Sequence, residues 1–128
     1  MNLEKLAGCL IIENDKVLLI KEKKDMYWKL LSGKIEEGET VEQCAIREAK
    51  KEGNIDVKLL GLFNKYTFNF KNRNFELTVY EARIVNGNPR VTEAHLEAVD
   101  WFSIQFLNND STPLDKLIYQ DLVRRNRK

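Results

Sequence analysis

Gly33 to Ile55 reads GKIEEGETVEQCAIREAKKEGNI, a loop that runs into an amphipathic helix. Val41, Cys44, Ala45 and Ala49 recur at helical spacing and mark its apolar stripe. At about 100° per residue, Glu48 and Glu52 fall within roughly 20° either side of Val41, in the middle of that stripe. Acids turned toward a core are costly unless a cation compensates them. A divalent metal ion is the compensator this pattern predicts; an i,i+4 surface pair is the plainer alternative. Thr40 is read as the N-cap, and Gln43 three residues on completes a capping box. Gly53 and Asn54 close the helix, since both residue types tolerate the left-handed conformation of a C-cap.

Working outward, residues 6–12 and 17–20 are apolar runs separated by Glu13-Asn14-Asp15-Lys16, which predicts a hairpin. A charged loop over 21–26 leads to a short strand candidate at 27–30. Beyond the helix, 57–70 and 75–85 are long β-prone runs, rich in aromatic and branched residues, joined by a turn at 71–74. Tyr66, Phe68 and Phe70 share one face of the first run; Phe75, Leu77 and Val79 share one face of the second. Asn86-Gly87-Asn88-Pro89 is a break, a short strand is expected at 99–102, and a last helix is read from Thr112 as cap and Pro113 as first residue to about Arg125. Strands on both sides of a central helix, closed by a second helix, predict a mixed sheet covered by helices.

The chain has 128 residues, 43% hydrophobic and 32% charged, the proportions of a soluble globular protein; residues 1–128 are read as one domain. A formal net charge of +1 gives no general electrostatic reason to bind nucleic acid or a membrane surface. The basic tail from Arg124 is read as a solvated helix end. Cys9 and Cys44, the two cysteines, lie in apolar runs with no metal-binding spacing, so buried free thiols in the cytoplasm are expected. One histidine, no Walker-type lysine loop and no GxSxG leave carboxylate–metal chemistry as the economical reading.

The spacing of Gly33, Glu39, Arg47, Glu48, Ala49, Glu52 and Ile55 resembles the Nudix box of the nucleoside-diphosphate-X hydrolases, here over 33–55. Two positions of the box depart: Lys51 stands where the family has the first of two glutamates, and Asn54 where it has glycine. Just upstream, Leu31-Ser32 replaces the usual Pro-Gly. The resemblance implies an α/β/α sandwich with a central mixed sheet, whose loop–helix–loop binds magnesium or manganese at the diphosphate of a nucleotide. It implies that Gly33 (through its carbonyl), Glu48, Glu52 and a loop acid, Glu97 or else Glu93, hold the metal. Glu48 would be a ligand or the general base, and Arg47 and Glu39 would pair to fix the ligands. Lys21, Trp28 and Lys34 are the substrate-binding candidates, with Tyr27, Phe63, Tyr66, Phe68 and Phe70 as further aromatics that can stack on a base. Residues 68–74 lack the proline of the family's ADP-ribose hydrolases and the tyrosine of its dinucleoside polyphosphate hydrolases. A small nucleotide, by default a nucleoside triphosphate, is what remains. The expected protein is a metal-dependent pyrophosphohydrolase, monomeric or homodimeric. The rival is a nucleotide-binding or interaction module whose catalysis is impaired by Lys51.

Overall fold

The computed structural model describes residues 2–104 and 113–126, with the side chains of 113–116 and 126 set aside. The elements in chain order are β1 (Leu3–Glu13), β2 (Lys16–Glu22), β3 (Leu31–Lys34), α1 (Val41–Gly53), β4 (Asp56–Phe70), β5 (Arg73–Asn86), β6 (Leu96–Ser103) and α2 (Pro113–Asn126). The six strands form one mixed sheet in the order β4-β5-β1-β2-β6, with β3 paired to β1. β1 lies parallel to β5, from Leu3↔Asn74 to Ile11↔Ala82, and the other strand pairs are antiparallel. The β1–β2 and β4–β5 hairpins turn on residues with positive φ, Asn14 and Asp15 in one and Lys71 and Asn72 in the other. That is the backbone sign that matches the twist of the flanking strands.

Alternation along the strands sorts the core into two layers. Ala7, Cys9 and Ile11 of β1 and Leu18 and Ile20 of β2 pack with Cys44, Ala45 and Ala49 of α1. Leu10, Val17 and Leu19 point the other way and pack with Ile118, Tyr119 and Leu122 of α2. β1 and β2 are buried on both faces, which is why their sequences read as continuous apolar runs. The arrangement is the expected α/β/α sandwich.

α1 begins and ends where the sequence indicates. Thr40 and Gln43 form the complete capping box, and Asn54 takes the left-handed cap position at φ 59°, ψ 37°. Two strands differ from expectation. β3 occupies residues 31–34 instead of 27–30, and Lys29 makes only an isolated bridge to Ile20. β6 starts at Leu96 instead of residue 99, because 96–98 pair with Glu22 and Lys21, polar ends of β2 that the sequence assigns to a loop. Thr112 lies outside the described residues. β4 forms one border of the sheet, and its register against β5 shifts between Leu59 and Gly61 and again between Leu62 and Asn64.

Candidate active site

The apolar stripe of α1 rests on β1 and β3, and the two acids within it are indeed buried: Glu48 is 5% exposed and Glu52 6%. Both reach a cleft of about 360 Å³ at the end of β3. Gly33 forms part of its floor. A Cβ there would land on the Glu48 carboxylate, so close approach, and not an unusual backbone angle, demands glycine at this position. The Gly33 carbonyl accepts from the Cys44 thiol at 3.5 Å. Glu52 Oε1 accepts from the Ser32 amide at 2.7 Å. Burial, then the neighbouring Glu48 charge, pushes the Glu52 carboxyl up to about 8, against the opposing pull of the Ser32 amide and of Lys29.

Arg47 ties the loop to the helix. Its Nε donates to Glu39 Oε2 at 2.6 Å, and one terminal nitrogen donates to Glu39 Oε1 and to the Lys34 carbonyl, both at 3.0 Å. The other terminal nitrogen donates to Glu48 Oε1 at 3.1 Å. This fork-on-fork geometry is the strong form of a charged hydrogen bond. It holds the Glu39 carboxyl down at about 2, helped by the Glu36 amide. The expected pairing of Arg47 with Glu39 is present, and Glu48 belongs to the same network.

Three charged residues in the cleft are not among the candidates from sequence: Glu36, which ion-pairs with Arg47 at 3.3 Å, Glu22 and Lys29. Glu22 and Lys29 ion-pair inside it, and the Lys29 ammonium also lies 3.7 Å from Asp25. Burial works against the charged form of Lys29, but Glu22, Asp25 and Glu52 outweigh it and raise its pKa. Burial likewise opposes ionisation of Glu22, and the bond and charge of Lys29 overcome it, leaving that carboxyl lowered. A signal for Glu22 exists: Leu18, Ile20 and Glu22 form one row at strand period, so the acid continues an inward-facing line. Lys29 carries no comparable mark.

The other candidates divide. Lys34 borders the cleft, though its ammonium lies 2.9 Å from Glu4. Lys51 borders it too, exposed and without an ion pair among the described residues. Lys21 and Glu97 are not among the residues lining the cleft; they pair with each other at 2.6 Å on β2 and β6. Glu93, the alternative to Glu97, is not in the cleft wall either. Trp28 lies edge-on against Phe102, with ring centroids 4.7 Å apart, in the core layer under α2. Tyr27, Phe68 and Phe70 instead share a second, mainly apolar pocket of about 200 Å³ with Leu6, Phe75 and Leu77. Lys29 and Ser32 line both spaces, so the two adjoin at those residues. Phe63 meets Arg125, 5.8 Å from ring centroid to guanidinium, and the Tyr66 hydroxyl donates to Asp121 at 2.6 Å. His95 stands 3.8 Å from Glu22, on a turn beside β6.

Among the described residues no three Asp, Glu, His or Cys side chains gather closely enough to hold a metal ion unaided. No helix among them is long and apolar enough to cross a membrane.

Residues 3–122 match the NUDIX domain family. The chain therefore belongs to the Nudix hydrolases, which act on nucleoside diphosphate derivatives. It is 29% identical over 111 residues to the 8-oxo-dGTP diphosphatase of Escherichia coli (strain K12), covering 84% of each chain. It is also 29% identical over 100 residues to the NAD-capped RNA hydrolase NudC of Pseudomonas aeruginosa (strain LESB58), where the match takes in 77% of this chain and 35% of that one. Among solved structures, a MutT NUDIX hydrolase from Burkholderia pseudomallei superposes with a TM-score of 0.87 at 26% identity, over 94% of this chain and 98% of the other.

Proposed function

We propose that the chain is a metal-dependent pyrophosphohydrolase that cuts a phosphoanhydride bond in a nucleoside di- or triphosphate, or a nucleoside diphosphate derivative, by attack of water on phosphorus. The observation that carries this reading is the burial of Glu48 and Glu52 on the wall of an open, polar cleft. Each carboxylate has one oxygen engaged, by Arg47 and by the Ser32 amide. Two acids and a backbone carbonyl do not make a protein-only cage. They do fit magnesium or manganese, which take oxygen ligands and complete their shell with water and substrate phosphate. Glu48, Glu52 and the Gly33 carbonyl would hold the ion, which when bound supplies Lewis-acid stabilisation of charge on the phosphoryl oxygens.

The remaining work falls to the chain's own groups. Glu48 takes the proton that the attacking water loses as its oxygen bonds to phosphorus and the bridging P–O bond breaks. Arg47 and Glu39 fix Glu48 from behind, a positioning role of the kind that matters as much as ligand identity. Lys29 faces the phosphates, with Lys34 on the rim and tied to Glu4, and the aromatic pocket beside Lys29 takes the base. Glu97, Lys21 and Trp28, engaged elsewhere, are given no part; Glu22 and Glu36 are the further acids of the cleft. A nucleoside triphosphate is the default substrate, in keeping with the similarity to the 8-oxo-dGTP diphosphatase of Escherichia coli. Residues 1–128 act as one domain, in the cytoplasm.

Lys51 favours a second reading, a nucleotide-binding module with impaired catalysis, because its ammonium borders the same cleft as the two acids. A hydrolysis screen of common nucleotides separates the two. The enzyme releases phosphate, pyrophosphate or a monophosphate only with magnesium or manganese, and Glu48→Gln and Glu52→Gln each abolish that release. Variants as fast as the parent would refute the site. A negligible parent rate that Lys51→Glu raises by orders of magnitude would establish the second reading.

A further inference from the structure

We propose that the cleft accepts a polyphosphate without any metal ion, with Lys29 and Lys51 as its receptors, so that the dication serves bond cleavage and not ligand capture. This rests on reading the cleft as the phosphate site, but not on its being catalytically active.

The charges that line the cleft carry the argument. Four acids face four bases there, so its formal charge is zero. A cleft lined by acids alone repels a polyphosphate until a metal neutralises it, since like charges at such separations interact strongly at protein dielectric. Here that barrier is absent. The four bases are not equally available. Arg47 is committed to Glu36, Glu39 and Glu48, and Lys34 to Glu4. Lys51 is exposed and has no ion pair among the described residues. Lys29 is ion-paired with Glu22 and Asp25, and it lines both the polar cleft and the aromatic pocket. An anion joined to an aromatic ring, with the ring in the pocket, brings its first phosphate to Lys29 and its next toward Lys51. That is the chemistry of a nucleoside diphosphate.

The same geometry sets an order. Lys51 lies three residues from Glu48 on α1, a spacing that makes the two side chains neighbours, and it borders the cleft that Glu52 also lines. Its charge opposes a dication at those acids while the cleft is empty. Phosphate oxygens that engage Lys51 relieve the opposition, so nucleotide and metal bind with positive coupling, which is reciprocal by linkage.

Calorimetric titration of the full chain with ADP in EDTA is the test. Binding is expected. Lys51→Gln, an exposed change that leaves the fold intact, should weaken it about tenfold while leaving adenosine binding unaltered. Lys29→Gln should act in the same direction. In nucleotide-free protein, manganese titration followed by electron paramagnetic resonance should show tighter binding in Lys51→Gln than in the parent. Failure of the parent to bind ADP in EDTA, or Lys51→Gln binding ADP as the parent does, overturns the proposal. Manganese-dependent hydrolysis without ADP binding in EDTA would sink this proposal and keep the hydrolase. ADP binding in EDTA without hydrolysis under any metal would do the reverse.

Discussion

Glu52 shows how a single carboxyl couples the site to stability. Its pKa rises from 4.5 to about 8 on folding, through burial and then the charge of Glu48. An acid raised in the folded state binds more protons there than in the unfolded chain, so stability falls as pH climbs from about 4.5 to about 8 and levels off above. Metal-free melts should therefore drop by several degrees between pH 5 and 8.5. Glu52→Gln should flatten that slope, and manganese should restore the parent at the alkaline end. A parent curve that superimposes on that of the variant would contradict the assignment. Glu48 and Glu52 were legible in the sequence because two acids on an apolar stripe violate the helical pattern. Glu22 was not, because the apolar run of its strand stops at Ile20 and the charged residues beyond it resemble a loop. The pairing of Lys21 with Glu97 was illegible for the same reason: the two meet across a strand pair that charge alone disguises.

At the scale of elements, α1 is fixed by contacts within a few residues of its own ends. Thr40 Oγ1 accepts from the Gln43 amide at 3.0 Å, and the Gln43 side chain accepts from the Thr40 amide at 2.9 Å. Thr40→Ala should cost about 1 kcal/mol, read as a shift in the urea midpoint without a change in slope. Such short-range chemistry is written plainly in a sequence, and so are the two hairpin turns. Strand partnership is not. That β1 lies parallel to β5 while β3 closes its other side follows from residues some seventy positions apart in one case and from the tight loop–helix unit in the other. The aromatic run of β4 illustrates the limit. Its periodicity indicates a shared face, yet only the register Phe68↔Phe75 and Tyr66↔Leu77 decides which rings line a pocket and which, like Tyr66, hold α2 through Asp121.

For the whole molecule, the acid-bearing cleft belongs to one face of the sheet, while the aromatic pocket beside it borders α2 at Ile118. α1 and its loop build the cleft on one face; α2 covers the other with Ile118, Tyr119 and Leu122, the last fully buried. Leu122→Ala should destabilise by about 2–5 kcal/mol, measured by chemical denaturation, while the folded variant keeps the parent's dependence on metal concentration. A changed metal dependence would show that the faces are coupled. This layering was expected from the order of elements, because strands buried on both sides require a cover on each.

The border strand β4 leaves Leu60 and Leu62 53% and 59% exposed, on a strand of 15 residues. An uninterrupted ribbon of that length would template another copy of itself. Two of the three slips in its ladder, at Leu59/Gly61 and Leu62/Asn64, bend the ribbon at the point where its greasy side chains show. Deleting a residue there to straighten the strand should let it pair with the same strand of another copy, seen as light scattering that rises with concentration in the variant and not in the parent.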